Sequence, residues 1–169
     1  GFETSGIDVK LNWASRDFAA GRFAAGLQGT YVSNYVVTDA LGKVFPAKEG
    51  VEDNDGAIPR FTANLQLDWT YDVWSAGWTV RYIGRVTEKC SDDSDGSPNS
   101  FTALGLCSLP DAANEGNSRN ELDATFYNDM QMGWENPMGA QGLKLTAGIN
   151  NILDQDPPES RTCSLNGSD

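Results

Sequence analysis

Along much of the chain apolar and polar residues alternate one for one, the mark of strands with one apolar and one polar face. From Phe61 to Trp69 the odd positions read Phe61, Ala63, Leu65, Leu67 and Trp69, and the even ones Thr62, Asn64, Gln66 and Asp68. Trp74, Ala76, Trp78, Val80 and Tyr82 alternate with Ser75, Gly77, Thr79 and Arg81 in the same way. Ile7, Val9, Leu11 and Trp13 alternate with Asp8, Lys10 and Asn12, and Leu143, Leu145, Ala147 and Ile149 with Lys144, Thr146, Gly148 and Asn150. Two further strands have looser patterns. Phe23, Ala25, Leu27, Gly29 and Tyr31 open one that runs to about Val37. Leu122, Ala124, Phe126, Met130, Met132 and Trp134 share a face of the other, with Asn128 the lone polar residue on it and a candidate site for a β-bulge.

All seven prolines fall between these runs or at a strand's first residues, where a missing N–H does least harm. The connections alternate in length: 14–21, 71–73 and 135–142 are short, and 38–57 and 85–120 are long. The pattern predicts an all-β chain whose six antiparallel strands follow one another up and down, with tight turns at one end and long loops at the other.

Alternation does not say what covers the apolar face, but the aromatic residues do bear on it. Trp13, Trp69, Trp74 and Trp134 stand beside short connections, while Tyr31, Phe61, Tyr82 and Phe126 lie toward the long ones. Two aromatic belts bracketing aliphatic positions is the arrangement of transmembrane barrels. Phe61 to Trp69 covers roughly 26 Å of strand at about 3.3 Å per residue. Tilted by about 40°, that projects to roughly 20 Å, near the approximately 25 Å apolar band of such barrels.

Composition sharpens this picture. The 169 residues include 24 acidic and 12 basic side chains and no histidine, a net charge of −12. No basic face is available for a nucleic acid. The lack of histidine removes Ser-His and Cys-His catalysis and histidine-ligated zinc. The two long connections and the segment from Asp154 onward hold 15 acidic against 6 basic residues, so most of the net charge lies outside the strands. A mean hydropathy of −0.44 fits strands that give half their positions to a polar face. No run is long and apolar enough for a membrane helix, and no leader peptide is visible at Gly1-Phe2-Glu3-Thr4.

The residues also resemble a known family. Leu145-Thr146-Ala147-Gly148-Ile149-Asn150-Asn151-Ile152-Leu153-Asp154, followed by Gln155-Asp156-Pro157-Pro158, resembles a stretch on the penultimate strand of TonB-dependent receptors. Thr4-Ser5-Gly6-Ile7-Asp8, Ile58-Pro59-Arg60-Phe61 and Trp78-Thr79-Val80-Arg81-Tyr82-Ile83-Gly84 resemble segments from the last third of the same barrels. The resemblance implies a 22-stranded transmembrane β-barrel of which this meander is strands 16 to 21. It also implies a Gram-negative outer membrane, short turns on the periplasmic side and long loops outside. The implied activity is energy-coupled uptake of a scarce siderophore, vitamin or saccharide. Implied partners are outer-membrane lipid, a small-molecule ligand, and the TonB energy-coupling complex, reached through an N-terminal region. No plug, TonB box or aromatic-ended final strand is present, so residues 1–169 read as part of the C-terminal barrel region, with open edges near 3–13 and 143–150. Another outer-membrane barrel, such as a passive porin or a membrane enzyme, and a secreted β-sandwich or adhesin domain are the competing expectations.

On the polar register the candidate lumen-facing residues are Asp8, Lys10, Asn64, Gln66, Asp68, Thr79, Arg81, Asp123, Asp129, Lys144 and Asn150. Most such residues hydrate a pore or pair across strands. Asn150, Asn151 and Asp154 are expected to organise a strand end through Asx-type bonds. Cys90 and Cys107 suit a loop disulfide in an oxidising compartment, with Cys163 left over or paired with a residue outside this sequence; three unrelated thiols is the other reading. Aligned by Gly96 to a calcium loop, Asp92-Asp93-Ser94-Asp95-Gly96 has Ser91 at the first position and Thr102 at the last, where acids belong, and together with Glu49, Glu52, Asp53 and Asp55 it reads as solvated loop charge. No nucleophile, general base, cofactor loop or metal-ligand set emerges, and no enzyme activity or cofactor is expected.

Overall fold

The structure, a computed structural model, describes residues 1–53, 56–91 and 95–160. Six long strands form one antiparallel sheet in chain order: β1 (Phe2–Ala14), β2 (Arg22–Val37), β5 (Phe61–Tyr71), β6 (Trp74–Ile83), β9 (Thr125–Glu135) and β10 (Lys144–Ile149). The up-and-down meander expected from the alternation is therefore present.

The long connections are not plain loops, as expected above. Residues 38–57 and 85–120, with the residues just after them, contribute β3 (Val51–Asp53), β4 (Gly56–Ile58), β7 (Val86–Lys89) and β8 (Arg119–Leu122). These make a second sheet in the order β4-β3-β7-β8, in which β3 and β7 run parallel. The strand expected over 122–134 divides accordingly. Leu122 ends β8 in the small sheet, and β9 begins only at Thr125.

The large sheet keeps strict facing. Leu11, Leu27, Leu65, Val80 and Asn128 stand directly opposite one another across five strands. The next rank reads Trp13, Ala25, Leu67, Trp78, Met130 and Ile149. Asn128 is the only polar member of these ranks. No bulge forms there: the β6–β9 register runs unbroken through Val80 and Asn128. The side chain is buried, and the Trp78 indole N–H donates to its Oδ1 at 3.1 Å. A satisfied amide replaces the expected irregularity. The register shift lies instead between Ser5 and Gly6, where β2 carries the extra residue Ser33. A side chain on Gly6 would collide with the Tyr31 carbonyl, so glycine is required where the strands close up beside the shift.

Short connections close one end of the sheet. Asp72 turns β5 into β6 with φ 52°, a left-handed conformation that a short polar side chain tolerates. Trp69 donates its indole N–H to the Ala20 carbonyl at 2.8 Å, tying the β1–β2 turn to β5.

The apolar side chains that are buried among the described residues are Val86, Leu122, Cys90 and Cys107, all in the small sheet and its loops. Cys90 and Cys107 form a disulfide, with Cα atoms 5.8 Å apart. Around it Ser118 Oγ and Thr102 Oγ1 are 2.6 Å apart, and the Asp111 N–H donates to Ser118 Oγ at 2.9 Å. Cys163 lies outside the described residues. Closing a loop of this length in the unfolded chain contributes about 3 kcal/mol in the chain-entropy account. Replacing both Cys90 and Cys107 with Ala is therefore expected to raise protease cleavage within 95–117 at least tenfold while leaving the six-stranded sheet intact by infrared amide absorption. Equal protection with and without the disulfide would contradict this.

Candidate functional site

The polar face of the large sheet carries all but two of the candidate residues named from the alternation. Asp8 faces Thr30, whose hydroxyl donates to Asp8 Oδ1 at 2.6 Å. Lys10, Gln28, Asn64, Arg81 and Tyr127 make up one rank, and Asn12, Gly26, Gln66, Thr79 and Asp129 the next. Gln66 Nε2 donates to Asp68 Oδ2 at 3.0 Å, and Lys144 Nζ to Glu135 Oε1 at 3.1 Å. Lys10, Gln28, Asn64 and Thr79 border a shallow recess of about 200 Å³. Asn150, expected on the polar register of the last strand, lies one residue beyond its end. Asp123 sits between β8 and β9, at the junction of the two sheets.

Arg81, Asp129 and Asn151 form a linked cluster that reaches from this face into the segment after β10. Arg81 Nε lies 3.2 Å from Asp129 Oδ2, and the guanidinium stands over the Tyr127 ring at 5.3 Å. The other Asp129 oxygen accepts the Asn151 N–H at 2.8 Å. Asn151 has φ 51°, and its side chain donates to the Gln155 carbonyl and accepts the Gln155 N–H. The Ile152 N–H then donates to the Asn128 carbonyl at 2.7 Å. One carboxylate thus serves an arginine on β6 and the turn after β10 together.

The connections add two groups that the sequence did not single out for these roles. Glu88, fully buried on β7, accepts from Asn120 Nδ2 at 2.8 Å and from the Ser160 hydroxyl at 2.7 Å. Its only sequence signal is an acid at the middle of the run Val86, Glu88, Cys90, too short to be read as a strand. Glu49 accepts the Tyr35 N–H at 3.1 Å and pairs with Arg60 Nη2 at 3.3 Å. Its carboxyl is held below the usual range by its own backbone N–H, then by that of Tyr35, with Arg60 adding to both and desolvation opposing them.

Among the described residues no group of three or more His, Cys, Asp or Glu side chains is placed to hold a metal. Asp92, Asp93, Ser94 and Asp55 lie outside the described residues. The chemistry on offer is hydrogen bonding and charge on a broad hydrated face. No family model, curated protein or solved structure matches the chain.

Two outcomes follow from these contacts. Asp129→Ala leaves Arg81 without its carboxylate and Asn151 without its acceptor, and should lower stability by about 1–3 kcal/mol, whereas Asp8→Ala, with one hydroxyl partner, should lower it by about 1 or less. Thermal unfolding of the two variants compares them. Because folding depresses the Glu49 pKa, its contribution is complete above the unfolded value of 4.5 and is lost as pH falls through the lower folded value. Exchange of the Tyr35 amide hydrogen, corrected for its intrinsic pH dependence, should therefore stay slow down to about pH 5 and quicken below 4.5, and Glu49→Gln should remove that step.

Proposed function

We propose that this chain is part of the transmembrane barrel of a TonB-dependent receptor in the outer membrane of a Gram-negative bacterium, serving energy-coupled uptake of a scarce siderophore, vitamin or saccharide. One observation carries the membrane part: the large sheet has an apolar face that no described part of the chain covers. Trp13, Leu11, Trp78, Met130 and Ile149 are all at least two-fifths exposed on it. Six strands about 4.8 Å apart, with an apolar stretch about 26 Å long, present roughly 750 Å², beyond the largest patch of about 300–600 Å² on ordinary soluble monomers.

The aromatic ends of that face favour lipid over a protein partner. At the short-turn end Trp74 stacks on Trp134 at 5.1 Å and Trp69 on Tyr71 at 6.2 Å. At the other end Tyr82 packs against both Phe61 and Phe126. Amphipathic rings at both limits of an aliphatic band suit the two interfaces of a bilayer. Among the described residues the outer edges of β1 and β10 have no strand partner, and hydrocarbon does not tolerate unpaired backbone groups, so neighbouring strands are part of the reading. The receptor part rests on the Asn-Asn-Ile-Leu-Asp resemblance, whose Asn151 is built into the turn that Asp129 holds.

In cells that make the native protein, it should fractionate with the outer membrane, and an antibody to residues 95–117 should label intact cells. Ligand accumulation should stop when the proton-motive force is collapsed. Continued accumulation would point to a passive pore, and recovery in the soluble fraction with Trp13 and Trp74 unreachable by lipid-soluble quenchers would overturn the barrel.

A further inference from the structure

Where the small sheet meets the end of the large one, the structure holds a recess of about 520 Å³, well within the range of small-molecule sites. Its walls are Ile83 and Tyr127 from the polar face of the large sheet, Val86 and Leu122 from the small one, and Pro157-Pro158. Glu52 and Asp123 also line it. Among the described residues neither carboxylate has a hydrogen-bond or ion-pair partner, and none of those lining the space is a lysine or arginine. The described arginines on the flanking segments are already matched, Arg60 by Glu49, Arg81 by Asp129 and Arg85 by Glu121.

An anion entering this recess would meet two carboxylates and the acidic excess of the surrounding connections. A neutral apolar molecule would leave both carboxylates unmatched. A molecule with an apolar body and a positive charge satisfies walls and rim together. We propose that this recess binds an apolar cation, with the hydrocarbon body against Ile83, Leu122 and Pro157-Pro158 and the charge between Glu52 and Asp123. The site rests on the receptor reading only for its part in uptake, where it names the class of ligand, and on the recess alone for binding.

Rhodamine 6G and fluorescein share a fused ring system and carry opposite charge, so they make a matched pair of probes. Titrated by fluorescence anisotropy into the full-length protein held in amphipol, rhodamine 6G should bind saturably and fluorescein should not. Each partly exposed carboxylate is worth a factor of a few, so Glu52→Gln with Asp123→Asn should weaken rhodamine 6G about tenfold. Ala57→Trp, at an exposed position lining the recess, should abolish binding by filling it. Fluorescein binding as tightly as rhodamine 6G, or rhodamine 6G binding unchanged in both variants, overturns the proposal. The titration involves no transport. Saturable, variant-sensitive binding by a protein found in the soluble fraction would therefore overturn the receptor reading alone, and its absence in an outer-membrane protein would overturn the site alone.

Discussion

Everything in the large sheet depends on an apolar face that the described chain itself leaves uncovered. In a soluble sandwich that face would be closed by a second sheet about 10 Å away, and the core would lie between them. Here the second sheet is small and sits at the long-connection end, where Ile83 and Tyr127 of the polar face border the recess it shares. The consequence is an inverted distribution of burial: Leu11, Trp13 and Ile149 are exposed, while a carboxylate, Glu88, is fully buried. A surrounding apolar medium resolves the first half of that inversion. The second half needs a different account.

The small sheet cannot draw on such a medium, because it is built from the acidic connections. Its strands are three or four residues long, too short to bury much apolar surface. Val86 and Leu122, paired across β7 and β8, supply what apolar core it has. The rest is covalent and polar: the Cys90–Cys107 bridge, Ser118 shared by Thr102 and Asp111, and Glu88 held by Asn120 and Ser160. Disulfides are the usual supplement where a core is this small. Glu49 and Arg60 extend the same logic to the β2 side, since the carboxylate caps the Tyr35 amide beyond the last β5 partner of β2.

How much of this was legible in the sequence follows from the same division. Where one face must be apolar over nine or more positions, as from Phe61 to Trp69, a slip of one residue would exchange the two faces, so the pattern is strict and readable. Gly29 loosened the pattern of β2 because it looks like a gap; in the structure the Phe61 ring lies across it, so the face is continuous in space where it is not along the chain. Asn128 suggested a bulge because a lone polar residue on an apolar face is costly, but its partner, the Trp78 indole, lies 50 residues away. The small sheet left no periodic trace. Its strands are shorter than one reliable repeat, its β3–β7 pairing is parallel and non-local, and its buried acid occupies a position where the pattern calls for an apolar residue. The polar candidates were legible as a face but not as a network, since nothing in the local sequence ties Arg81 to Asp129 or Asp129 to Asn151.

That network has a geometric consequence for the recess. Asp129 fixes Arg81 on one side and the turn at Asn151 on the other, and the turn is continued by the bonds between Asn151 and Gln155 to the threshold of Pro157-Pro158. Those prolines form one wall of the recess, while Tyr127, lying under the Arg81 guanidinium, forms another. The same carboxylate therefore sets both walls relative to the sheet. Glu88, through Ser160, anchors the chain just beyond the prolines to the small sheet. A segment bound at both ends by carboxylates has little freedom to shift, and rigid walls reduce the ordering that any bound molecule must impose. Glu52 and Asp123 line the same recess but take no part in this network.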